Sequence, residues 1–260
     1  MYGIFWIPTI INRDIFVLKT TYNKGMKGVF VGICIWVMVF VSIACGMCVN
    51  VLLTPKAVAG VEPLAMRVVL DAGHGGMDGG VVGRTSGVKE SDLNLAIVYQ
   101  IKPKLEEMGF EVVLTRKTQA GLYESATKGF KRRDMEKRKE IIQQANPALV
   151  LSIHQNYYPS MKTRGAQVFY RKGNERGQRL ATAVQKRVND LYVGVGGRAR
   201  TMATGDFFML TCVDCPSILV ECGFLSNGED ERLLQTESWQ KQLAEGICAG
   251  VLEYFDEFSV

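Results

Sequence analysis

Histidine is the scarcest functional residue of this chain: 260 residues contain two, His74 and His154. No HExxH, GxSxG or GxxxxGK[ST] segment occurs, which removes the helix-borne zinc protease site, the serine hydrolase elbow and the phosphate-binding loop. Gly73-His-Gly75 after an apolar run matches half of a dinucleotide fingerprint, but Asp78 occupies the third glycine position. A serine or cysteine hydrolase would need one of the two histidines as its base, and both are better placed as ligands. Excess positive charge is also lacking. The net charge is +5, and the first 65 residues supply +3 of it, leaving too little to argue for nucleic acid. Of seven cysteines, three fall in an apolar N-terminal run, while Cys212, Cys215, Cys222 and Cys248 belong to the globular part. An even number there permits disulfides, and Cys212-Val-Asp-Cys215 has the spacing of a redox pair or half a zinc knuckle, but no second CxxC occurs in the globular part to complete it.

Residues 29–49 (VFVGICIWVMVFVSIACGMCV) carry no charge, and as a helix they are long enough to cross a hydrocarbon layer of about 30 Å. Arg13, Lys19, Lys24 and Lys27 precede the run, so the expected topology has residues 1–28 in the cytoplasm and everything after residue 49 outside. Met26-Lys27 directly before the run resembles an ordinary signal-anchor start, and translation is expected to begin there. Ala57-Val-Ala59 could serve a signal peptidase, but the apolar run exceeds the length usual for a cleaved signal. Residues 50–65 then form a linker containing Pro55, Gly60 and Pro63, and residues 66–258 form one domain.

That domain alternates strand and helix patterns. Strands are expected at 67–71, 110–115, 148–153, 165–170 and 217–222, with a short apolar piece at 207–210. Helices are expected from Ser91, with Leu93, Ile97, Ile101 and Leu105 on one face and Pro103 near its end, and over 133–145, 175–191 and 238–255. The order implies an α/β fold, a mostly parallel twisted sheet with helices on both faces. The basic cluster of Lys128, Lys131, Arg132, Arg133, Lys137, Arg138 and Lys139 reads as a solvated helix face; the sharper alternative is a contact for an anionic polymer or for peptide carboxylates.

In such sheets, ligands sit beyond the carboxyl ends of the strands. His74 follows the first strand and His154 ends the third, so both reach one sheet edge and are candidate metal ligands. A catalytic zinc takes three protein ligands and leaves a position open. Glu90, just before the first helix, is the foremost third candidate, with Asp78 and Asp92 as rivals. Glu221 stands among Ile218, Leu219, Val220 and Cys222; a carboxylate in such surroundings is buried and either paired or functional, and beside a metal it suits a general base.

Four ordered blocks, Asp71-Ala-Gly-His74-Gly-Gly-Met-Asp78-Gly-Gly, Lys89-Glu90 with Leu93-Asn-Leu95, Ser152-Ile-His154-Gln-Asn156 and Val220-Glu221-Cys-Gly-Phe-Leu-Ser-Asn227, resemble the type 3 family of zinc-dependent N-acetylmuramoyl-L-alanine amidases. The resemblance implies Zn2+ on His74, Glu90 and His154, a catalytic Glu221, and hydrolysis of the amide between the lactyl group of muramic acid and L-alanine in peptidoglycan. Asn156 is a candidate for orienting substrate or ligand. Thr127-Lys-Gly-Phe-Lys-Arg-Arg133 and Arg164-Gly-Ala-Gln-Val-Phe-Tyr170 further resemble the germination-specific subgroup of spore formers, which implies spore cortex as substrate and a domain held between the forespore membranes; the sequence does not report whether an accessory protein is needed. Ala72 stands where that family usually has proline, and Gln143 where it tends to have asparagine. A zinc peptidase acting within the stem peptide and an inactive metal-binding wall module are the alternatives.

Overall fold

The computed structural model describes residues 66–125 and 127–256, together with the helical pair Val37 and Met38. The expected cytoplasmic segment, the expected membrane helix apart from that pair, the linker and the start at Met26 lie outside the described residues. Among the described residues no helix is long and apolar enough to cross a membrane. The chain divides into two compact units, Met1–Val61 and Glu62–Val260; the fold that follows is that of the second.

Six strands, β1 (Arg67–Ala72), β2 (Glu111–Leu114), β3 (Leu149–Asn156), β4 (Gln167–Tyr170), β5 (Ala203–Thr204) and β6 (Ser217–Phe224), form one sheet in the order β2-β1-β3-β6-β4-β5. β2, β1, β3 and β6 are mutually parallel, whereas β4 runs antiparallel to β6. The antiparallel step has a simple cause. A parallel return needs a crossover of about a dozen residues or more, usually helical, and residues 157–166 between β3 and β4 contain no helix.

The helices are α1 (Glu90–Glu107), α2 (Phe130–Ala145), α3 (Glu175–Gly194), α4 (Phe208–Thr211), α5 (Gly228–Leu234) and α6 (Glu237–Asp256). Central strands covered on both faces should be apolar almost throughout, and Val68, Val69, Leu70, Leu149, Val150, Leu151 and Ile153 are all buried. Alternate residues sort them into two cores. Val68, Leu70, Leu151, Ile153, Ile218 and Val220 pack with Ile97, Ile101 and Leu105 of α1, Val184 and Val188 of α3 and Leu243 and Ile247 of α6. On the other face Val69 and Val150 meet Ile142 of α2 and Met209 of α4. Pro103 sits one turn before the end of α1 without breaking it, and Asn146 ends α2 in the left-handed conformation at φ 44°.

β1 leads through α1 to β2 on one side, and β2 leads through α2 to β3 on the other, so the chain reverses direction between β1 and β3. The carboxyl ends of these strands at such a switch point are where open α/β sheets bind ligands. The strand-end histidines belong to these two strands.

Candidate metal and catalytic site

His74 occupies a backbone conformation that L-residues avoid, with φ +62°, and several bonds hold it there. Arg138 Nη2 donates to the His74 carbonyl at 2.5 Å, and the Gly73 amide donates to the Ile153 carbonyl at 3.0 Å. Asp78 Oδ2 lies 3.0 Å from His74 Nδ1, which leaves Nε2 directed at Glu90 Oε1, 3.2 Å away. A carboxylate on one imidazole nitrogen fixes the tautomer and orients the other nitrogen as a ligand. Gly73 is required here because a Cβ would lie 2.2 Å from the His154 ring.

Glu90 is the first residue of α1, and its carboxylate is buried at the sheet edge. Oε2 accepts from the Val81 amide at 2.8 Å, while Oε1 accepts from the Gln155 amide at 3.1 Å and lies 2.9 Å from His154 Nδ1. Gly80, with φ +70°, brings the loop so close that a Cβ would lie 2.4 Å from Glu90 Oε2. The two histidine rings stand edge to face, 5.1 Å apart.

One ligand atom from each of His74, Glu90 and His154 lies within 4.8 Å of the others. Two imidazoles and a carboxylate are a donor set that zinc takes in catalytic sites. The electrostatics suit a cation: burial disfavours the His74 imidazolium, yet Glu90 and Asp78 outweigh it and raise its pKa to about 9. Burial likewise works against the Glu90 carboxylate, but the hydrogen bonds and charge of His154 and His74 hold it well below the usual range. The carboxylates that favour the imidazolium would equally favour a metal cation in place of its proton.

Glu221 of β6 is in register with His154 of β3. Burial, more than any neighbour, pushes its pKa up to about 7, and its Oε2 is buried without a hydrogen-bond partner. Buried polar atoms are seldom left so, and this one belongs to a cleft of about 440 Å³ that His74, Glu90 and His154 also line.

The rivals of Glu90 have other places. Asp78 backs His74 and pairs with Lys131 Nζ at 3.0 Å, and Asp92 accepts a long bond from Ser91. Asn156 lines the cleft, and its Oδ1 accepts from the Tyr157 amide at 2.8 Å, a turn contact. Cys212 and Cys215 are half-buried free thiols whose pKa values burial raises.

One part of the basic cluster departs from expectation. Arg138 is not on a solvated face but buried at 1% exposure. It bonds Asp71 Oδ1 at 2.5 Å, Asp134 Oδ2 at 2.6 Å and the Ala72 carbonyl at 2.7 Å. Asp71 also accepts from Thr115 and Ser152; although burial opposes its charge, Arg138 and these hydroxyls bring its pKa down to about 2. Breaking one side of such a buried pair costs about 3–5 kcal/mol. The network thus holds the His74 loop rigidly against β1 and α2. An acid inside the apolar run of β1 was its one visible signal.

The N-acetylmuramoyl-L-alanine amidase family, type 3, matches residues 68–253. The chain belongs to that family. It is 33% identical over 199 residues to the germination-specific N-acetylmuramoyl-L-alanine amidase of Bacillus subtilis, a match covering 75% of this chain and 82% of that protein. Among solved structures it resembles the CwlD amidase of Clostridioides difficile in complex with the GerS lipoprotein, at 33% identity and TM-score 0.70, covering 74% of this chain and 98% of that one. The catalytic domain of CwlV, an N-acetylmuramoyl-L-alanine amidase of Bacillus (Paenibacillus) polymyxa, is similar at 29% identity and TM-score 0.63, with 74% and 98% covered. The matched stretch contains every residue of the cluster described above.

Proposed function

We propose that this chain, an amidase of peptidoglycan by family, hydrolyses the amide between the lactyl group of N-acetylmuramic acid and the L-alanine of the stem peptide, using Zn2+ held by His74, Glu90 and His154. The observation that carries the reading is the buried, unpartnered Oε2 of Glu221 in the same cleft as a three-donor cluster. A zinc ion held there would supply Lewis acidity to the scissile carbonyl and to the attacking water.

The chain's own residues supply the proton traffic. Glu221 accepts a proton from water as it adds to the carbonyl, and returns it to the alanine nitrogen as the C–N bond breaks. Burial raises the Glu221 carboxyl above the usual carboxylate range, toward the working pH at which one group serves first as base and then as acid. Asp78 and Arg138 keep the His74 imidazole and its loop in place through both steps.

Similarity to a germination-specific amidase supports spore cortex as the substrate. The relative whose structure includes a lipoprotein supports an accessory protein for this chain. Residues 29–49 as a signal-anchor would hold the domain outside the cytoplasm. A reporter active only outside the cytoplasm, fused after Phe255, is expected to be active; a stable but inactive fusion would reverse the topology.

Digestion of purified cortex followed by product masses tests the reaction. Intact stem peptides with a free alanine amino end are expected. Fragments cut within the peptide would indicate a peptidase instead, and no product with zinc bound would indicate a wall-binding module or a missing activator.

A further inference from the structure

We infer that Lys131 recognises a free carboxylate on the peptide limb of the substrate and so sets which limb enters which side of the cleft. The inference rests on the amidase reading above. Once the lactyl carboxyl is tied up in the scissile amide, the N-acetylated glycan limb is neutral, whereas the stem peptide carries free carboxylates, starting with that of the residue after alanine. A cation at the cleft therefore distinguishes the two limbs.

Lys131 is the one lysine or arginine among the described residues lining the cleft with the three-donor cluster. It also lines a neighbouring cavity of about 140 Å³ beside His74 and His154, where Phe130, Met135 and Met209 supply apolar wall. Tyr157 and Phe207, both partly exposed aromatics, line the larger cleft alone. The charged wall is thus on the side the two cavities share, and the neutral aromatic wall is not.

Folding does not account for the lysine. It lies in the first turn of α2, which contains no acid and in which Lys131, Arg132 and Arg133 follow Phe130. A helix N-terminus favours anions and disfavours cations, so three cations there work against the helix. Arg133 does local work, donating to the carbonyls of Ser125 and Lys128. Lys131 contacts Asp78 Oδ1 at 3.0 Å, but its side chain is 65% exposed, and an ion pair this exposed is weak. The ammonium is free to exchange Asp78 for an incoming carboxylate, or to bridge the two.

The test uses the full chain and two muramoyl peptides that differ only in whether the carboxyl group of the residue after alanine is free or amidated. The native enzyme is expected to prefer the free carboxylate by about tenfold in kcat/KM, as one charge-assisted hydrogen bond would give. Lys131→Met should abolish that preference by lowering the rate on the free form alone, with zinc content unchanged, and Lys131→Arg should restore it. Equal loss on both substrates would overturn the inference, because it would mean that Lys131 acts through Asp78 on His74. Native cleavage of both peptides without preference would overturn it while leaving the amidase reading intact. Cleavage of both peptides within the stem and not at the lactyl amide would overturn both.

Discussion

His74→Ala and His154→Ala are each expected to reduce zinc to well below one per chain and to abolish release of stem peptides. The chain contains no third histidine, so no imidazole can substitute, and Glu90 with one remaining histidine is a ligand short of the three that a catalytic zinc takes. His74 needs a control, because its φ of +62° penalises any residue with a Cβ, by about 1–2 kcal/mol. His74→Gly removes the imidazole and the penalty together. It should match His74→Ala in zinc content while withstanding more urea. Zinc-to-protein ratio and peptide release on the three variants check this, with circular dichroism reporting the fold. A variant keeping one zinc per chain would remove that histidine from the ligand set.

The site was more legible than the scaffold around it, for a physical reason. His154 and Glu221 each interrupt an apolar strand and His74 follows one within two residues, and polar groups so placed point to the edge of the sheet. Glu90 was less distinctive, because an acid in a first helical turn is equally suited to the helix dipole; only the loop fold through Gly80 and the bond from the Val81 amide bring it beneath the histidines. Arg138 was hidden among six other cations, since hydropathy treats buried and exposed arginines alike. Its burial depends on Asp71 and Asp134, which are 67 and 4 residues away.

The strand and helix periods located all four long helices and the three long strands, with shifts of a few residues at their ends. What escaped were short elements made by tertiary contact. β5 is two residues pairing with β4. The expected apolar piece at 207–210 is a single helical turn, α4, with Met209 and Leu210 buried. α5 did leave a local signal: Asn227 caps it by accepting from the Glu229 and Asp230 amides, an arrangement that Asn followed by acids favours. The antiparallel β4 had no local signal, because strand direction depends on the missing crossover helix and not on the residues of the strand.

Glu221→Gln and Glu90→Gln are expected to separate using the metal from holding it, although both remove one charge from the same cleft. Glutamine keeps the volume of Glu221 and its hydrogen-bonding capacity but cannot accept a proton. With Oε2 unpartnered, the substitution breaks no hydrogen bond of that atom, and burial already opposes the charge it removes. Zinc content and stability should therefore stay close to native while peptide release falls by the roughly 10²–10⁴-fold typical of general acid–base catalysis. Glu90 is different in kind. Its Oε1 faces both histidines at 2.9–3.2 Å, and a neutral amide there is a poorer ligand than a carboxylate. Glu90→Gln should lose zinc first and activity as a consequence, so excess zinc should recover part of the rate, whereas no concentration of zinc should rescue Glu221→Gln. A Glu221 variant that loses its metal, or a Glu90 variant that keeps metal without activity, would mean that the two carboxylates have exchanged roles.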